Sequence, residues 1–264
     1  MRVVALSDIH GNLHALEAIL EEVKYEGVDQ YLILGDLVIG GPNPIEVLCI
    51  LKELDNAIYI RGNSDRCVVT GEFPGPSREM VDKNPSLLPA YNEIYEHYQW
   101  TRNKLKKKNW LSWLKKLPLE YNEVWLDGTT VLTVHASPGC DSGNGINYAM
   151  NEMDIKDKLN GCRPDLLLVG HTHCPMDLVV NNVRIINPGS VGIPLEVDLR
   201  ASYAIFSINE NGYEVQFQTV DYNRKEVINS AMKVEYPGIN NLTQNLNNGV
   251  CPKWLNAQKM GDQC

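Results

Sequence analysis

Residues able to bind a metal recur at the ends of short apolar runs. Ser7-Asp8-Ile9-His10-Gly11 follows residues 2–6, Gly35-Asp36 closes the run at 31–34, and Arg61-Gly62-Asn63-Ser64-Asp65 follows 57–60. His135 ends the run at 130–134, and Gly170-His171-Thr172-His173 follows 166–169. Of six histidines in the chain, four fall in this pattern. Imidazole, carboxylate and amide donors without thiolate suit Mn, Fe, Zn, Co or Ni. Asp8 and His10, two apart, would project to one side of an extended chain, and so would His171 and His173. The glycines beside them let backbone and ligand approach closely. Taken singly, each piece has a bland explanation: an Asp-x-His is chance, a Gly-Asp is a turn, a histidine after a strand is structural. Their recurrence at successive strand ends favours one convergent centre.

The elements that must carry these residues can be read in the same way. Apolar runs alternate with helical segments in the first two-thirds of the chain, which predicts an α/β fold. Asn12 caps a helix that places Leu13, Leu16, Ile19, Leu20 and Val23 on one face. Asn43-Pro44 opens a second helix, running to about residue 54. In open α/β sheets, sites form at the carboxyl ends of strands, where these ligands sit. Residues 74–118 change in character. A Pro/Gly/Ser-rich entry leads into Tyr91, Ile94, Tyr95, Tyr98 and Leu105, then a basic run at 104–108, then Trp110 and Trp113. This reads as a helical insertion or cap, with packing aromatics and a solvated lysine face. Asp127-Gly128, Asn181-Asn182 and Asn211-Gly212 mark hairpin turns, so the later strands are expected to be antiparallel. A single domain over 1–235 is expected, followed by a polar, asparagine-rich tail at 236–264.

A chain of 264 residues can bury a full core, and 44% hydrophobic with 22% charged residues is ordinary for a globular protein. The net charge of −9 argues against general nucleic-acid binding. It leaves a phosphate-bearing substrate open, because bound cations reverse the local field. Seven cysteines without a Cys-x-x-Cys pair read as reduced thiols. There is no apolar signal core and no run of roughly 20 apolar residues, so a soluble cytoplasmic protein without a membrane partner is expected.

The ordered set Asp8-x-His10, Gly35-Asp36, Gly62-Asn63-x-Asp65, His135 and Gly170-His171-x-His173 resembles the calcineurin-like metallophosphoesterases. The resemblance runs from residue 1 to about 220. Gly40-Gly-Pro-Asn-Pro44, and Asn187-Pro-Gly-Ser-Val-Gly192 followed by Arg200-Ala-Ser-Tyr203, look like the bacterial and archaeal branch of small phosphodiesterases and phosphatases. The resemblance implies a two-sheet β-sandwich flanked by helices and two divalent metal ions, manganese foremost. Asp8, His10 and His173 would hold the first ion, Asn63, His135 and His171 the second, and Asp36 would bridge them. It implies hydrolysis of a phosphate ester by direct attack of a metal-bridging hydroxide, with no covalent enzyme intermediate. Two carboxylates and that hydroxide against two dications leave about one positive charge, enough to draw a phosphate to an acidic protein.

One position departs from the family. Many members carry a histidine after the asparagine to protonate the leaving group, and here Ser64 stands there. The departure implies a better leaving group or a substitute acid. His97, in the aromatic segment, is the candidate substitute, against a packing role. Asp65, without the histidine that it orients in relatives, is a candidate catalytic residue through a hydrogen bond. Arg66 and Arg102 are candidates for binding a substrate phosphate, each with an ion-pair role as the competing reading. His14 reads as surface and Cys174 as core. The implied substrate is a phosphorylated, nucleotide-like small molecule. A protein serine/threonine phosphatase and a catalytically weak metal-binding scaffold are the alternatives. Ser64 favours the scaffold and the complete ligand set favours the enzyme. The oligomeric state stays open.

Overall fold

The computed structural model describes residues 1–195 and 197–251. The chain begins β1 (Arg2–Leu6), α1 (Leu13–Val23), β2 (Gln30–Ile33), α2 (Pro44–Glu53), β3 (Ala57–Tyr59) and α3 (Asn63–Thr70). Three further helices follow, α4 (Arg78–Lys83), α5 (Leu88–Lys107) and α6 (Leu111–Leu114). Next come β4 (Glu120–Val124), β5 (Thr130–Val134), α7 (Glu152–Lys158), β6 (Leu166–Leu168), β7 (Met176–Val180) and β8 (Val183–Asn187). The rest is β9 (Ala201–Asn209), β10 (Gly212–Val220), α8 (Arg224–Lys233) and α9 (Ile239–Asn248).

The strands form two five-stranded sheets, ordered β10-β9-β1-β2-β3 and β4-β5-β6-β8-β7. Side-chain alternation sorts each strand between two layers. Val3 and Ala5 of β1 meet Leu166, Leu168, Ile186 and Phe206 between the sheets. Val4 and Leu6 face the other way, onto the helices of the first sheet. In the second sheet Leu167 faces outward with Ile155 and Leu159 around α7. The result is helix, sheet, sheet, helix, and all the ligand-bearing loops leave the same edge of the sandwich.

The later strands are not uniformly antiparallel. β5 pairs with β6, and β6 with β8, in parallel. The turn signals correctly mark hairpins such as β7–β8, where Asn181 and Asn182 take φ of 52° and 64°. They say nothing about the β5-α7-β6 crossover, which is a parallel unit. The segment from α4 to α6 shares the main core: Ile94, Tyr98, Leu105, Leu114 and Leu117 pack with residues of α1 and α2. Lys104 lies over the Trp100 ring at 4.3 Å, so one lysine of the basic run covers an aromatic surface. α9 buries Leu242, Asn245 and Leu246; the tail beyond residue 251 lies outside the described residues. Cys49, Cys67, Cys162, Cys174 and Cys251 are free thiols, whereas Cys140 is disulfide-bonded. No described helix is long and apolar enough to cross a membrane.

Candidate metal centre

The ligand loops are not extended. Asp8, His10, Asp36, His171 and His173 have φ of 55°, 51°, 55°, 66° and 65°. Left-handed backbone is uncommon for non-glycine residues and persists only where surrounding bonds impose it. Asp8–His10 and His171–His173 therefore converge through tight left-handed turns, not through strand alternation. The bonds that impose this are visible. Asp8 N donates to Gly35 O at 3.1 Å, His10 N to Asp36 O at 2.9 Å and Gly11 N to Leu37 O at 2.8 Å, tying the loop after β1 to the loop after β2. The 187–192 turn holds the remaining pieces. Asn187 Nδ2 donates to Gly170 O at 2.7 Å, and Ser190 Oγ and Gly192 N each donate to Asp8 O at 2.9 Å. A Cβ at Gly62 would overlap the Asp36 carboxylate, so only glycine lets the third loop approach this closely.

The side chains gather into two groups of donor atoms. In the first, His10 Nε2 lies 3.1 Å from His173 Nε2, and Asp8 Oδ1 is 3.4 Å from His173 Nε2 and 3.9 Å from His10 Nε2. In the second, Asn63 Oδ1 is 3.1 Å from both His135 Nε2 and His171 Nδ1, which are 3.3 Å apart. Asp36 stands between them, with Oδ2 3.7 Å from His10 Nε2 and Oδ1 3.5 Å from His135 Nε2. Donors around an ion at ligand distances of about 2.1 Å are separated by roughly 3.0–3.5 Å. Most of the separations within each group fall close to that range.

The outer nitrogens fix what the inner ones can do. His10 Nδ1 meets Ile39 O, His135 Nδ1 meets Leu34 O at 2.6 Å, and His173 Nδ1 meets Ile193 O at 2.7 Å. His171 is turned round, with Nε2 on Gly143 O at 2.7 Å and Nδ1 inward. A carbonyl only accepts, so each outer nitrogen carries the proton and each neutral ring turns a lone pair inward. In those tautomers His10 and His173 turn lone pairs toward each other at 3.1 Å, an arrangement that a cation between them would relieve. Asp8 Oδ2 accepts from Ser7 Oγ at 2.6 Å and from His171 N at 2.9 Å, while Asp8 Oδ1 is buried without a hydrogen-bond partner. An orphaned carboxylate oxygen beside converging lone pairs fits a cation.

The electrostatics point the same way. Burial, the largest effect on Asp8, raises its carboxyl above the ordinary value. Burial also opposes ionisation of Asp36, but His135, His10 and His171 outweigh it and hold that carboxyl well below the usual carboxylate range. Burial disfavours a charged His135, yet Asp36 and Asp8 push it up to about 10. The centre thus draws a proton where no cation compensates its carboxylates.

The other candidates fall at different places. Ser64 is fully buried and clamps Asp36: its amide donates to Oδ1 and its Oγ to Oδ2, both at 2.9 Å. The carboxylate of Asp65 accepts from Leu37 N at 3.0 Å and Gly62 N at 3.1 Å, so it joins two ligand loops from behind. Burial, and secondarily Asp36, raise its pKa to about 7.

His97 is 2% exposed, with Nδ1 3.1 Å from the Tyr236 hydroxyl and its ring against Tyr236 and Gly238. A general acid has to meet the substrate, and this ring is packed in the interior, which favours the packing role over the substitute acid. The Arg102 guanidinium donates to Val68 O and to Val69 O at 2.8 Å, capping the end of α3. Arg66 is bound to Asp141 at 3.0 Å and to Glu72. His14 contacts Ser230 at 3.2 Å on α8. Sequence reasoning missed Arg61, whose Nε donates to Asp141 Oδ2 at 2.8 Å, and it missed all four orienting carbonyls. Main-chain acceptors carry no residue-type signal, but Arg61 directly precedes Gly62-Asn63 and could have been noticed.

Residues 1–211 match the family model of the calcineurin-like phosphoesterase superfamily domain. An uncharacterized protein of Methanocaldococcus jannaschii is 30% identical over 250 residues, covering 89% of this chain and 93% of that protein. A symmetrical bis(5'-nucleosyl)-tetraphosphatase of Erwinia tasmaniensis is 31% identical over 104 residues, 39% of this chain and 38% of that protein. Among solved structures, a metallophosphoesterase from Sphaerobacter thermophilus is similar at 28% identity with a TM-score of 0.72, covering 95% of this chain and 99% of that one. The centre built at the strand ends and the match over most of the chain agree: the protein belongs to the calcineurin-like phosphoesterase superfamily and is a metallophosphoesterase-type hydrolase.

Proposed function

We propose that the chain hydrolyses a phosphodiester or phosphoanhydride bond in a small nucleotide-like substrate, using two divalent ions, manganese first. The observation that carries this reading is the pair of donor groups joined by Asp36, with its two oxygens 3.7 and 3.5 Å from the histidines of opposite groups. Asp8, His10 and His173 would hold one ion, Asn63, His135 and His171 the other, and Asp36 both. Two such ions supply a hydroxide nucleophile near neutral pH and clamp the attacking and leaving oxygens.

The protein's own residues restrict the substrate. Ser64 spends its hydroxyl on Asp36, and His97 is interior, so neither serves as leaving-group acid. A leaving group that departs unprotonated suits such a site, and a phosphate terminus, with a second pKa near 6, is one. Arg61 and Arg66 flank Asn63 and share the Asp141 carboxylate. Arg66 is held at two carboxylates, which leaves the terminal nitrogens of Arg61, among the described bonds, as the better anchor for a second anionic group. The relatives named as tetraphosphatases act on polyphosphates by name, which supports an anhydride substrate without fixing it.

The test loads metal-free protein with Mn²⁺ and compares a bis-nitrophenyl diester, a nitrophenyl monoester and a dinucleoside tetraphosphate, with Asp36→Asn as control. Turnover of the diester or tetraphosphate, abolished in the variant, is expected. Two bound Mn²⁺ ions with no turnover of any ester would overturn the reading.

A further inference from the structure

The matched family model ends at residue 211, yet a side chain beyond it reaches the loop that orients one histidine of the first donor group.

Asn245, 1% exposed on α9, donates to Pro194 O at 2.8 Å. The preceding carbonyl, Ile193 O, accepts from His173 Nδ1 at 2.7 Å. The proline ring locks one of the two dihedrals between these carbonyls, so anchoring Pro194 O restrains Ile193 O. His10 and His173 face the same donor group, while His135 and His171 are oriented by Leu34 and Gly143.

We infer that α9 braces one of the two metal positions, that of Asp8, His10 and His173, with Asn245 as the positioning residue. The inference rests on the two-metal reading above. It is tested calorimetrically by titrating the metal-free protein with MnCl₂, in the wild type and Asn245→Leu. Leu246→Ala, buried in the same helix, controls for loosened packing. Asn245→Leu is expected to weaken one Mn²⁺ site about tenfold, at the low end for partners of ligand histidines, and to leave the other unchanged. Leu246→Ala leaves both sites near wild type.

Nitrogen-15 spectra of the metal-free imidazoles give a second readout. The Nδ1–H form of His173 should be lost in Asn245→Leu, with His10 and His135 unaffected. Equal weakening of both sites, or unchanged tautomers, would overturn the brace. A wild type that binds fewer than two Mn²⁺ ions would instead overturn the two-metal reading, and the tautomer spectra would still decide the brace.

Discussion

Acid should destabilise this protein through His97. The ring is 2% exposed and neutral in the fold, with a pKa lowered from 6.5 to about 4 by burial. In the unfolded chain it titrates near 6.5. Between those values the unfolded state binds more protons than the folded one, so stability falls as pH drops from about 6.5 toward 4 and levels off below. At 1.36 kcal/mol per pKa unit, the loss between pH 7 and pH 4 is about 3 kcal/mol from this one residue. Urea unfolding of metal-free protein at pH 7, 5.5 and 4 measures it, with His97→Gln as the comparison. Glutamine can still accept from Tyr236 but does not titrate, so the difference between the two proteins should shrink by about 3 kcal/mol across the range as the wild type loses stability. Parallel pH dependences would refute the placement of a neutral His97 in the core. A shifted pH–rate profile of Mn²⁺-loaded His97→Gln, with unchanged metal affinity, would restore the substitute-acid role.

The site itself yields two further expectations. Ser64→Ala removes one of two bonds from Ser64 to Asp36, and Mn²⁺ affinity measured by titration should fall about 10- to 100-fold with the fold intact by circular dichroism. Gly62→Ala forces a methyl group onto Asp36 and its loop; since that overlap involves backbone, metal binding should be lost and thermal unfolding should show destabilisation of about 1–3 kcal/mol or more.

The convergence was legible because side-chain type and position at strand ends are both written in the sequence. Asp8, His10, Asp36, Asn63, His135, His171 and His173 do converge. What was not legible was long-range or main-chain. Nothing local tells β9 to return and pair with β1, or β6 to lie parallel to β5. The left-handed turns at five of these residues are held by loop-to-loop amide bonds and cannot be read from residue preference alone, since Asp and His, though enriched in that conformation, adopt it only in a small minority of positions. Ser64 was read as a missing acid because its partner, Asp36, lies 28 residues away in sequence. Asn245 sat in a stretch whose polarity disguised a buried anchor.

These misses share a cause that bears on specificity. Every histidine of the centre is aimed by a peptide carbonyl, and every such carbonyl lies in a loop at the strand ends. A carbonyl cannot ionise, so it holds one tautomer across the pH range over which a carboxylate partner would release it. Asp65, the carboxylate that joins two of these loops from behind, accepts from two backbone amides. Ser64 completes the arrangement by committing its hydroxyl to Asp36. A centre built this way holds its histidines firmly, with the Ser64 hydroxyl committed to Asp36. Under the proposed function it would favour phosphoanhydrides and activated diesters, whose departing groups leave unprotonated, over alkyl monoesters.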